Sequence, residues 1–123
     1  MKVAVLGACG LVGRQLLVLL DQDSRVRSIT QVGSLQRESG VELSQTATDY
    51  LTLESLSNLE QFDCIFSALD SKVSQPWLLK NFENIQFFID KGSAMRLRED
   101  IPLVVPELYS KDLSEQKIIA SPN

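Results

Sequence analysis

Gly7, Gly10 and Gly13 follow one another in the spacing G-x-x-G-x-x-G. The run Lys2 to Leu6 (KVAVL) precedes them and stops at the first glycine, as a buried strand does. Behind them Leu11, Val12, Leu16, Leu17, Leu19 and Leu20 recur with helical spacing, ending near Asp21. A glycine turn between strand and helix presents bare main-chain N–H groups at the positive end of the helix, a ready place for an anion. A Cβ on the approach side would block the contact, and glycine removes it. Linked phosphates of a dinucleotide suit this geometry, with Gly7, Cys9, Gly10, Leu11, Val12 and Gly13 lining the cradle. Gly13 would also let helix and strand pack closely. The plainer alternative is a glycine-rich turn that binds nothing.

A second strand is expected over Ser28 to Val32 (SITQV). Strands in this position often end in an acid that holds the ribose hydroxyls of NAD, but here the chain reads Gln31-Val32-Gly33-Ser34. Ser34 and Arg37 follow in a polar loop, and a guanidinium suits the 2′-phosphate of NADP. Glu38 beside Arg37 pulls the other way, and a solvated loop charge is the competing reading.

Further elements must hold these residues in place. Gly33 to Gly40 reads as loop, Thr46 to Leu53 as a third strand, and Glu54 to Gln61 as a short amphipathic helix. Asp63 to Leu69 (DCIFSAL) is almost continuously apolar, the pattern of a parallel strand covered on both faces. Ser74 to Asn81 predicts a helix with Pro76 near its first turn. Gln86 to Asp90, Leu103 to Val105 and Lys117 to Ala120 predict three more short strands. The alternation predicts a single α/β domain with a Rossmann-like, doubly wound, mostly parallel sheet.

Composition narrows the function. The 123 residues are 44% apolar and 23% charged, with a net charge of −4. An acidic balance gives no electrostatic grip on nucleic acid or an anionic membrane. No apolar run approaches the ~20 residues of a membrane span, and a cytoplasmic setting is expected. Histidine is absent, so the commonest general acid/base is missing. Cys9 and Cys64 lie far apart, which leaves little from which to build a metal site. Cys64, inside a strand pattern, reads as a small buried apolar residue.

Three segments of the carboxyl-terminal third are more discriminating. They are Phe88-Ile89-Asp90-Lys91-Gly92-Ser93-Ala94-Met95-Arg96, Ile101-Pro102-Leu103-Val104-Val105-Pro106-Glu107 and Ile118-Ile119-Ala120-Ser121-Pro122-Asn123. Together with the glycine turn, in this order, the whole chain resembles the aspartate-semialdehyde dehydrogenase family. That family has a strand ending D-x-S-S-x-x-R, a P-L-V-V-P-E segment and a terminal I-A-N-P-N-C. The resemblance implies an NADP-binding domain that, in the full-length enzyme, serves reductive dephosphorylation of aspartyl phosphate. NADPH delivers hydride to a cysteine thioester, giving aspartate semialdehyde and phosphate, on the route to lysine, threonine and methionine. It places the nucleophilic cysteine directly after Asn123, so neither Cys9 nor Cys64 takes that role and this chain alone is expected to be inactive. It assigns Arg96 to the phosphate, and Asn123 to the position before the nucleophile. It assigns the substrate and dimerisation domain, and with it a homo-oligomer, to sequence outside residues 1–123.

Several positions depart from that pattern. Ala68-Leu69-Asp70 stands where the family often has Ala-Gly-Gly, and its side chains would crowd a dinucleotide; Asp70 would also oppose its phosphates. Lys91-Gly92 replaces Asn-Ser or Ala-Ser, and Tyr109 stands where asparagine is usual. Glu107, after Pro106, reads as a structural or surface acid. Three other readings remain. One is an N-acetyl-glutamyl-phosphate reductase-type enzyme; the second is a non-catalytic paralogue or nucleotide-binding scaffold. The third, a short-chain reductase, needs a Tyr-x-x-x-Lys pair that Tyr50 and Tyr109 do not supply.

Overall fold

The computed structural model describes residues 1–33, 41–93, 95–109 and 111–122. The first strand, β1 (Lys2–Leu6), is buried from Val3 onward. Helix α1 (Leu11–Asp21) follows the glycine turn, and β2 (Ser28–Gly33) and β3 (Ala47–Thr52) complete the first half. The second half comprises β4 (Cys64–Ser67), α2 (Ser71–Asn81), β5 (Phe88–Asp90) and β6 (Ile118–Ala120).

All six strands form one sheet in the order β3-β2-β1-β4-β5-β6, and every described pairing is parallel. Parallel strands are covered on both faces, which explains their unbroken apolar runs. Val3, Val5, Ile29 and Cys64 pack with Leu17 of α1 on one face. Ala4, Leu6, Val32, Ile65 and Phe88 pack with Leu78 of α2 on the other. Trp77 stacks on Phe88, with ring centroids 6.2 Å apart. The sheet is therefore doubly wound, as the sequence predicts. The chain runs outward from β1 to the edge at β3, then returns to place β4 on the other side of β1. The switch point lies between the carboxyl ends of β1 and β4, where open α/β sheets leave a crevice for a ligand.

The structure corrects the sequence in three places. Glu54 to Gln61 forms a turn and one 3-10 turn (Leu59–Gln61) rather than an amphipathic helix. Thr52 and Ser55 bond each other's hydroxyls and main chain there, and Asn58 adopts a left-handed backbone with φ 57°. Such side-chain bonds compete with helix formation. The expected strand Leu103 to Val105 is an isolated bridge from Leu103 to Ala120, stopped by Pro106. Helix α2 starts at Ser71 rather than Ser74, because Asp70 caps it by accepting the Lys72 N–H at 2.9 Å. Pro76 consequently lies inside the helix rather than near its first turn.

Candidate nucleotide and phosphate site

The glycine turn sits at the switch point. Gly7 and Ala8 donate their N–H groups to the Val32 carbonyl of β2 at 2.8 and 3.1 Å. Ala68 donates to the Leu6 carbonyl at 2.9 Å, so β4 clamps the other side. Gly7 has φ +76°, a conformation glycine adopts without penalty, and a Cβ there would lie 3.0 Å from the Ala68 carbonyl group. A Cβ at Gly13 would overlap the Gly7 carbonyl oxygen, so α1 approaches the turn closely only because Gly13 has none. The fold's own packing therefore demands two of the three glycines.

Gly10 is different. Its backbone is ordinary extended chain, with φ −74°, and it serves as N-cap of α1 without a side-chain hydrogen bond. A Cβ there would meet only the Gly7 carbonyl oxygen, at the ordinary distance of 3.4 Å. Leu11 and Val12 follow it exposed, and among the described residues the N–H groups of Leu11, Val12 and Gly13 find no acceptor. Unpaired first-turn amides on the open side of a helix suit an anionic ligand. Cys9 lies half-buried in the turn, its sulfur 3.8 Å from the Tyr50 hydroxyl.

Two neighbours of this corner escaped the sequence reading. Arg14 folds back to donate from Nε to the Cys9 carbonyl at 3.1 Å, which sets a guanidinium beside the turn. Tyr50 of β3 reaches the end of β2, where a Cβ at Gly33 would run into its hydroxyl. The sequence signal for Arg14 was its place next to Gly13, whereas Tyr50 reaches the corner only through the pairing of β3 with β2. Ser34, Arg37 and Asn123 lie outside the described residues. Asp70 is exposed at the start of α2, two residues beyond the Ala68 carbonyl that abuts Gly7.

A second group of polar residues lies along the same carboxyl edge, across β4, β5 and β6. Ser67, Asp90 and Ala120 are register partners. Asp90 is fully buried; its Oδ1 accepts the Gly92 N–H at 3.1 Å, while Oδ2, Ser67 Oγ and Ser74 Oγ have no partner among the described residues. Burial pushes the Asp90 carboxyl above its ordinary range, against the pull of the Gly92 N–H and the Arg96 charge. Arg96 donates from Nη2 to the Lys91 carbonyl at 2.9 Å and from Nε to the Ser121 carbonyl at 3.1 Å. Lys91 Nζ donates to the Ser121 hydroxyl at 2.8 Å. Arg96 thus arrives at the end of β6, next to the segment that closes on Asn123. Glu107 is exposed.

The cysteines present have other surroundings. Cys64 is buried in β4, and desolvation, with Asp63 adding to it, pushes its thiol up to about 12. Among the described residues no cluster of three His, Cys, Asp or Glu could hold a metal, and no helix is long and apolar enough to cross a membrane.

A doubly wound parallel sheet with a glycine turn at its switch point is the architecture of dinucleotide-binding α/β domains. Comparison with known proteins narrows this class. The family described as semialdehyde dehydrogenase, NAD binding domain, matches residues 2–116, and the chain belongs to that family. Aspartate-semialdehyde dehydrogenase of Campylobacter jejuni is 34% identical over 99% of this chain, and that of Bacillus subtilis 37% identical over 100%. The chain spans only 37% and 36% of the lengths of those relatives. A solved structure of aspartate semialdehyde dehydrogenase II from Vibrio cholerae, complexed with ASA, matches with a TM-score of 0.82 at 26% identity. That match covers 99% of this chain and 41% of the other.

Proposed function

We propose that residues 1–123 are the NADP-binding domain of an aspartate-semialdehyde dehydrogenase-like oxidoreductase acting in the cytoplasm. In the full-length protein the reaction is reduction of aspartyl phosphate to aspartate semialdehyde, with release of phosphate. The substrate and dimerisation domain, and the nucleophile next after Asn123, belong to the longer protein, which we take to be a homo-oligomer. The observation that carries this reading is Gly10. The packing does not require its missing side chain, whereas a ligand reaching the free amides of Leu11 and Val12 does.

When bound, the dinucleotide supplies the hydride. The chain's own residues bind and orient it. Gly7, Cys9, Gly10, Leu11, Val12 and Gly13 offer main chain to the pyrophosphate, and Arg14 adds a cation beside the turn. Ser34 and Arg37 serve the 2′-phosphate, and the absence of an acid after β2 favours NADP over NAD. Arg96 holds the phosphoryl group of the substrate at the end of β6, where a guanidinium fork suits two of its oxygens at once.

Calorimetric titration of the Gly10→Ala variant tests this. The variant should melt with the wild type, since the added methyl has room, and should bind NADP at least about tenfold more weakly, because it stands in the ligand's approach. Equal NADP affinity in the two proteins would remove the basis of the proposal. Tighter binding of NAD than of NADP by the wild type would overturn the cofactor choice alone.

A further inference from the structure

Lys91 and Arg96 converge on one residue. Lys91 Nζ bonds the Ser121 hydroxyl and Arg96 Nε the Ser121 carbonyl, while Arg96 Nη2 also holds the Lys91 carbonyl. Each anchor is itself fixed by the sheet: Lys91 N–H donates to the Ser67 carbonyl and Ser121 N–H to the Asp90 carbonyl, both at 2.8 Å. Two half-buried cations are thus held close together at the carboxyl edge of the sheet. Like charges so placed repel, and the repulsion grows as water is excluded.

No ion pair among the described residues neutralises Lys91 or Arg96. The ion pairs among the described residues are Arg25 with Asp23 and Arg98 with Asp100, and neither includes Lys91 or Arg96. The carboxyl of Asp90, which feels the Arg96 charge, lies fully buried with Oδ1 turned to the Gly92 N–H. The main-chain and hydroxyl oxygens that Lys91 and Arg96 now touch satisfy donors but carry no net charge. Both cations retain unused donors, since an ammonium has three and a guanidinium five.

We propose that Lys91 and Arg96 together form a two-cation clamp for a phosphoryl dianion, with Lys91 supplying a second positive charge that the family pattern at this position, asparagine or alanine, does not. This rests on the phosphate role given to Arg96 above and extends it. The dianion sits in front of Ser121, on the strand end that leads to Asn123. The ligand class is inorganic phosphate or the phosphoryl group of an acyl phosphate; the pyrophosphate of the dinucleotide belongs elsewhere, at the glycine turn, and its 2′-phosphate with Ser34 and Arg37. A serine at 121 fits the arrangement, since its hydroxyl accepts from the Lys91 ammonium.

Inorganic phosphate is titrated calorimetrically, at low ionic strength, into the 123-residue chain and its Lys91→Met, Lys91→Arg and Arg96→Met variants, and NADP into the wild type and Lys91→Met. Methionine keeps the apolar stem of Lys91 and removes the ammonium, with its charge and its bond to the Ser121 hydroxyl. A charge-assisted contact predicts a loss of phosphate affinity of about tenfold or more in both methionine variants, with Lys91→Arg retained within about threefold. NADP affinity should stay within about twofold in Lys91→Met, with melting temperatures unchanged. Phosphate affinity lost in Arg96→Met but kept in Lys91→Met refutes the clamp and leaves the proposed function intact. Phosphate binding that neither substitution affects, or that the wild type lacks, refutes both the clamp and the phosphate role of Arg96. Weakened NADP binding in Lys91→Met assigns Lys91 to the dinucleotide and likewise overturns the proposal.

Discussion

Asp90 ends β5 with its carboxyl sealed from water and one oxygen unpartnered among the described residues. Desolvation favours the neutral acid, so its value in the folded chain lies above the ordinary 3.8. The folded state therefore holds a proton that the unfolded chain releases. Stability from this group is fully present below about pH 3.8 and is lost as pH rises through the raised value. Asp21, Asp100 and Asp112 are lowered instead, by hydrogen bonds from Ser44 and Thr46, from Arg98 and from Ser114, although burial opposes the shift at Asp21. Their contribution is lost as pH falls, so the two kinds of group act at opposite ends. Asp90→Asn should leave acid behaviour unchanged and flatten the decline on the neutral side. Urea unfolding of both proteins over roughly pH 3 to 8 reads this as a stability difference that shifts in the variant's favour as pH rises, then levels off. A difference independent of pH would show that the Asp90 proton plays no part.

Helix α2 owes its start to Asp70, and the same residue stands beside the switch point. Its two effects separate by substitution. Asp70→Ala removes the acceptor of the Lys72 N–H and should cost about 1 kcal/mol in thermal or urea unfolding. Asp70→Asn keeps a capping oxygen, so stability should hold. It removes a negative charge from the corner where Ala68 and Leu69 abut Gly7, and NADP should bind severalfold more tightly at low salt. The gain should fade at high salt, when exposed charges are screened. An Asn variant whose NADP affinity matches the wild type would place the carboxylate outside the ligand's field. This element also shows what a sequence discloses. Strands β1, β2, β4 and β5 and the turn before α1 are local patterns, in which apolar runs stop at glycine or polar residues, so they were legible. The Asp70 cap was not, because an acid next to a polar helix start looks like any surface charge. The expected helix over Glu54 to Gln61 failed for the converse reason. Its apolar spacing was right, but Thr52 and Ser55 satisfied their backbone locally. The Lys91 to Ser121 contact joins the residues that follow β5 and β6, and no periodicity within either segment announces it.

At the scale of the whole molecule, the sheet gathers the glycine turn and the pair Lys91 and Arg96 along one edge, and neither cysteine of the chain is placed to carry the proposed chemistry between them. Acyl transfer from an acyl phosphate needs a nucleophile, and proton transfer needs an acid or base near neutral pH. Histidine is absent from all 123 residues. Cys64 is buried in β4 with its thiol pushed up to about 12, so it holds its proton at neutral pH and faces the α1 core rather than the carboxyl edge. Cys9 belongs to the turn that would grip the dinucleotide and is in contact with Tyr50. The 123-residue chain should therefore bind NADP and phosphate but show no phosphate-dependent reduction of NADP with aspartate semialdehyde, followed by the absorbance of NADPH. Joining the chain to the remaining length of a relative such as the Bacillus subtilis enzyme, which it covers only to 36%, should restore turnover if the corners are correctly formed. Activity in the isolated chain would mean that one of its own side chains is the nucleophile. Silence in a folded chimera that binds both ligands would mean that the departures at Asp70, Lys91 and Tyr109 have taken this domain away from the reaction of its relatives.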